Sequence, residues 1–178
     1  MVRAKMMQAL IVLGLALVTA TGAVAAGTKT VVFPFELIDD SQEGETDGIR
    51  QDQTARLKLI DARLVEKLKA DGRYEPVDLA PIAADIKKDA PIYKCNGCEE
   101  DLARKVGSKL AFVCNVQKVS NLILNLNIYV RDVEAGKTIK EMSVDLRGNT
   151  DESWTRGLAF LVKNRLFASE TGTSEAGK

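Results

Sequence analysis

No histidine occurs anywhere in the 178 residues. That absence removes the Ser-His-Asp arrangement, the H-E-x-x-H zinc helix and the C-x-x-C-H haem attachment together. Any catalysis would have to run on carboxylates, thiols, lysine or tyrosine. Cysteine is scarce too: there are three, and a zinc site from three thiols needs a fourth ligand that no imidazole supplies. No metal and no cofactor are expected. A charge excess is also missing, since 25 Lys and Arg balance 25 Asp and Glu. Nucleic acid, which wants a basic face, is therefore not an expected partner. Of the prolines Pro34, Pro76, Pro81 and Pro91, none follows Cys98. A thioredoxin fold sets a cis-proline downstream of its redox motif, and this chain has no residue to fill that place.

What is present begins with the leader. Arg3 and Lys5 precede an apolar run from Ala9 to Val18, then small residues end in Ala23-Val24-Ala25-Ala26. Basic, then apolar, then A-x-A is the order of a secretory signal peptide, and the run is too short for a stable membrane anchor. The expectation is a leader over 1–26 and a periplasmic mature protein that does not span the membrane. No cysteine follows the cleavage site, so no lipid anchor is expected. The leader holds two of the 25 basic side chains and no acidic one, which leaves a net charge of −2 on the remainder. About 150 residues remain, enough for one domain with a proper core.

The pattern along 27–168 predicts one α/β (α+β) domain. Thr30 to Leu37 is β-branched and aromatic and reads as a first strand, with Pro34 at its end or at an edge. An acidic loop, Asp39 to Gly48, is read as solvated; set as an EF-hand, it puts Arg50 where a bidentate Glu is required. Leu57, Ile60, Leu64 and Leu68, widened by Ala55 and Val65, give a helix closed by Gly72. Tyr74 to Leu79 reads as a strand, Pro81 to Lys88 and Glu99 to Val106 as short helices. Lys109 to Val119, Leu122 to Val130 and Thr138 to Arg147 read as three successive strands. In the second of these, Leu122, Leu124, Leu126, Ile128 and Val130 point one way, and Asn125, Asn127, Tyr129 and Arg131 the other. Ile139 and Met142 fall out of phase, which predicts a bulge or twist between them. Asn149 with Glu152 fits a capping box for a last helix through Phe167. The tail 169–178 reads as disordered. The expected architecture is a single mixed sheet with early βαβ crossovers, a C-terminal antiparallel meander, and helices on one face.

Three features carry possible chemistry. Cys95-Asn96-Gly97-Cys98 is either a redox pair or a structural disulfide. Glu99, Glu100 and Asp101 follow directly and oppose a thiolate, which favours the disulfide. Cys114 falls in phase with Phe112 and Val116 and reads as a buried thiol, although pairings 95–114 and 98–114 are open as well. The polar side of the Asn125–Arg131 strand and the corner from Arg147 to Gly157, with Asp151 and Trp154, hold residue types that anchor interfaces. At that corner a core role for Trp154, packing with Leu158 and Leu161, competes with the interface reading.

Val31-Val32-Phe33-Pro34-Phe35, then Asp71-Gly72-Arg73-Tyr74-Glu75-Pro76-Val77-Asp78, resemble the opening of CsgG-like and TolB N-terminal-like domains. Leu102 to Leu110 and the hairpin Val130 to Thr138 fit the same pattern. The resemblance implies an α/β domain used for assembly in the cell envelope. Cys95-Asn96-Gly97-Cys98-Glu99 with Arg147-Gly148-Asn149-Thr150-Asp151-Glu152-Ser153-Trp154 is similar to a family of small exported bacterial proteins with a domain of unknown function. That similarity implies a place beside quinoprotein alcohol-oxidation systems. The expected function is a periplasmic accessory or binding protein without catalytic activity, engaging an envelope protein. The alternative is a thiol-disulfide oxidoreductase using Cys95 and Cys98.

Overall fold

A computed structural model describes residues 26–168. The leader expected over 1–26 (Ala26 apart) and the tail 169–178 lie outside the described residues. The chain runs β1 (Thr28–Val32), β2 (Glu36–Asp39), α1 (Gln42–Asp47), α2 (Gln51–Asp71), β3 (Tyr74–Pro76), α3 (Ala83–Asp89), α4 (Cys98–Lys105), β4 (Leu110–Lys118), β5 (Leu124–Asp132), β6 (Lys137–Leu146) and α5 (Asp151–Leu161). The strands form one mixed sheet in the order β3-β1-β4-β5-β6, with β2 also on β4. β1 pairs in parallel with β3 and β4, while β4, β5 and β6 are the expected antiparallel meander.

The first strand is two strands rather than one. Phe33 still donates to Phe112 O, but Pro34 has no N–H, and the ladder resumes only at Glu36 opposite Asn115. Three residues of one strand thus face two of the other, as in a bulge. Phe35, displaced from the ladder, donates its N–H to Asp61 Oδ1 at 2.7 Å. The expected bulge in the last strand is present: Val130 faces Lys140 and Arg131 faces Thr138, which leaves Ile139 unpaired and half exposed.

Helices cover both faces of the sheet, not one. Ile60, Leu64 and Leu68 of α2 and Trp154, Leu158 and Leu161 of α5 pack on Phe112, Cys114, Val116, Leu126 and Ile128. On the other face Ile82, Ile92, Leu102 and Ala103 pack on Val31, Phe33, Ala111 and Val113. α4 and the short turns that hold Ile82 and Ile92 supply this cover, with Ile86 of α3 packed beside them, and each carries too few apolar residues to declare a face from sequence. Ala55 is exposed and lies outside the α2 stripe. Gly157 allows α5 to lie against β6, because a Cβ there would collide with Leu146 Cδ2.

The acidic segment is not a solvated loop. Ser41 caps α1 by accepting the Gly44 N–H, and the helix presents Glu43 to the sheet. Lys118, with its side chain fully buried, donates to Asp39 Oδ2 at 2.9 Å and Glu43 Oε2 at 2.8 Å. Burial alone would pull the Lys118 pKa down; its hydrogen bonds to Glu43 and Asp39 outweigh that and raise it. The same bond, with a second from Arg50, lowers Glu43 to about 2.

Removing Lys118 strands two carboxylates, so Lys118→Ala should cost about 3 kcal/mol in urea unfolding at pH 7. Glu43 has a depressed pKa, so its contribution is complete above 4.5 and is lost as pH falls through about 2. Glu43→Gln should flatten that acid limb, and an unchanged limb would contradict the pairing. Asp61 behaves oppositely: burial raises it from 3.8 to about 6 against the opposing Phe35 N–H. Its favourable share is present below 3.8 and lost as pH rises through about 6. Asp61→Asn should therefore raise the thermal midpoint at pH 7.5 and barely move it at pH 3.5; a larger gain in acid would contradict the burial argument.

Candidate functional site

Alternation along β5 sends Leu124, Leu126, Ile128 and Val130 into the α2–α5 core and the intervening side chains to the other face. Leu122, expected to extend the apolar row, precedes the strand and is 81% exposed. On the polar side Asn127 Nδ2 donates to Asn115 Oδ1 at 3.0 Å, and Asn125 Nδ2 donates to Asp145 Oδ1 at 2.9 Å. Ser143 Oγ donates to Asn125 Oδ1 at 2.8 Å. These bonds link β4, β5 and β6 into a polar ladder with side chains already paired across the strands. α4 packs chiefly on β4, so among the described residues the β5–β6 part of this face has no helix over it.

The four polar positions of β5 do not share one environment. Asn125 and Asn127 lie on the uncovered part. Tyr129 packs against the α3–α4 core, where burial, then Glu141, push its hydroxyl pKa up. Arg131 reaches α4, pairing with Glu99 Oε1 at 3.1 Å and with Glu100. Its role is to neutralise two buried acids.

Those acids belong to the cysteine loop. Cys95 and Cys98 are bridged, with Asn96 and Gly97 at φ of 51° and 108° closing the turn. Glu99 Oε2 accepts the Gly97 N–H at 3.0 Å and lies 3.0 Å from Cys95 Sγ. Glu100 Oε2 is buried without a protein partner. One guanidinium facing two carboxylates leaves the surroundings of the sulfurs negative, which disfavours a thiolate and hence exchange chemistry. Cys95, Cys98 and Glu99 are close enough to share a cation, but the bridge occupies both sulfurs. Cys114 is buried in the α2–α5 core on the opposite face, and burial pushes its thiol pKa well up. The pairings 95–114 and 98–114 are thereby replaced by 95–98.

The Arg147–Gly157 corner divides as well. Trp154 is fully buried among Leu158, Leu161 and the sheet, so it serves the core and cannot anchor a surface interface. The helix cap is Thr150, which accepts the Ser153 N–H; Asn149 instead accepts from Arg56 Nη1 at 3.1 Å. Asp151 accepts from Arg56 Nε at 2.8 Å. The corner is thus tied to α2 by Arg56, a link that sequence spacing cannot reveal. Arg147 remains exposed. With Asp145, Arg156 and Phe160 it lines a shallow groove of about 540 Å³ along β6, the last strand of the sheet.

The sequence model of a protein family, DUF3280, described as Protein of unknown function (DUF2380), matches residues 28–166. No curated relative matches the chain. Among solved structures, the LpoB C-terminal domain from Escherichia coli superposes with a TM-score of 0.50 at 15% identity, over 70% of this chain and 85% of that one. Lipoprotein GNA1162 from Neisseria meningitidis gives 0.47 at 15% identity, over 70% and 83%. A PelC dodecamer from Paraburkholderia phytofirmans gives 0.44 at 11% identity, over 77% and 85%. The LpoB domain is similar in its mixed α/β fold.

The charge around the bridge yields a test. The protein should not speed insulin reduction by dithiothreitol, and its disulfide should equilibrate below the glutathione range, at about −300 mV or lower. Turnover of insulin would restore the exchange reading.

Proposed function

The chain belongs to the family described as Protein of unknown function (DUF2380), and we propose that it is a non-catalytic accessory domain that holds a protein partner in the cell envelope. The partner would lie across the uncovered polar face of β5 and β6, with Arg147 at its margin. One observation carries this reading: the Ser143–Asn125–Asp145 bonds, continued by Asn127 donating to the buried Asn115, form an ordered polar surface that no other element among the described residues covers. A surface whose side chains are already fixed loses little entropy when a partner is added. Exposed Ile139 and Phe160, each about half accessible, flank the β6 edge and supply apolar contact beside Arg147. The basic, apolar and A-x-A leader supports export. Among the described residues no helix is long and apolar enough to cross a membrane. A quinoprotein alcohol-oxidation system is the specific partner that the family resemblance suggests.

A photo-crosslinking amino acid placed at Asn127 or Ser143 should capture one and the same envelope protein in cells. The same probe at Arg63, on the outer side of α2, should not. Arg147→Glu should reduce capture about tenfold, as for an interface arginine, with an unchanged circular dichroism spectrum. Equal capture from Arg63 would overturn the assignment of the face.

A further inference from the structure

A second surface, independent of the partner face, lies at the β3 end of the sheet. β1 and β3 are neighbours and parallel. Beyond β1 the chain leads, through β2 and α1, to α2 on one face; beyond β3 it leads to α3 on the other. In open α/β sheets, ligands settle outside the carboxyl ends of strands whose connections part in this way. The crevice here is lined by Val32, Pro34, Ala62, Val65 and Leu79, holds about 540 Å³, and has Asp61 in its wall. That volume is within the range of small-molecule sites. β3 stops at Pro76, so among the described residues no strand pairs with Val32 or Pro34 on the side away from β4, and the missing N–H of Pro34 leaves that edge apolar.

Asp61 is a half-buried acid of this wall, and it is only half used. Its Oδ1 accepts the Phe35 N–H. Among the described residues no Lys or Arg forms an ion pair with it. At the rim Glu66 is paired with Arg63 at 3.0 Å and Lys69 adds a positive charge, so the negative charge the lining offers a ligand is that of Asp61. A carboxylate in an apolar wall, with no ion pair of its own among the described residues, favours a ligand that brings a cation to it.

We propose that this crevice binds a small organic cation, a primary ammonium on an aryl or alkyl body. The ammonium sits on Asp61 Oδ2, and the body lies over Val32, Pro34, Ala62, Val65 and Leu79. This site is separate from the β5–β6 face, and either can fail without the other. The carboxyl, raised to about 6 by burial, adjoins the Cys114 thiol of β4, which burial, then Asp61 and Glu36, hold neutral; the carboxyl must be ionised to receive the cation, so affinity declines as pH drops below that value.

The experiment uses 2-phenylethylammonium as probe, with 2-phenylethanol as its neutral match, on methyl-labelled protein followed by NMR at pH 7.5. The amine should shift the Val32, Val65 and Leu79 methyls saturably, and the alcohol should bind about tenfold or more weakly. Asp61→Asn keeps an acceptor for the Phe35 N–H and should lose amine affinity by about the same factor. Ala62→Phe, at an exposed helix position beside the crevice, should abolish binding if the Asn variant does not fold. Equal affinity for amine and alcohol would overturn the proposal. So would unchanged affinity in Asp61→Asn, or no saturable shift at these methyls up to about 10 mM amine, the weak limit of specific binding.

Discussion

Every layer of this molecule is fastened to β4. It pairs with β1 and β2 along one edge and β5 along the other. One of its faces gives Phe112, Cys114 and Val116 to the α2–α5 core, and the other gives Ala111 and Val113 to the α3–α4 core. A strand buried on both sides must be apolar on both sides, which is why Leu110 to Val116 reads as a nearly continuous apolar run. Its last residue breaks that rule. Lys118 enters the interior as a charge, and the chain bends through Asp39 and α1 to meet it with two acids. Without those acids the desolvation of an ammonium would oppose the whole packing.

Sequence periodicity revealed what depends on neighbours in the chain. The α2 stripe, the alternation of β5 and the slip at Ile139 are all local patterns, and the structure realises each. Contacts between distant segments were hidden. Asp39 and Glu43 look like surface acids because Lys118 lies more than seventy residues away. Asn149 looked like a cap because its partner, Arg56, is on another helix. Pro34 was placed near a strand end, but the resumption of pairing after it depends on β4. The one-sided helix layer failed for a similar reason: α3 and α4 are each too short to show an amphipathic period, and only together do they form a cover.

The candidate surface was legible in its chemistry but not in its extent. Four polar residues of β5 do point the same way. α4 then separates them, taking Tyr129 and Arg131 into a covered cluster and leaving Asn125 and Asn127 outside. Trp154 shows the limit of composition arguments, since the residue type most associated with interfaces is used here to fill the space between α5 and the sheet.

The bulge at Ile139 has a bearing on how this protein behaves when crowded. β6 ends the sheet, and a straight terminal strand would offer its unpaired amides to the same strand of another molecule. The unpaired residue kinks that rim, and Lys137, Lys140 and Glu141 set charges around the kink. Like charges would be brought together by a copy that tried to add on in parallel register. The kinked, charged rim is thus a poor template for stacking into fibres.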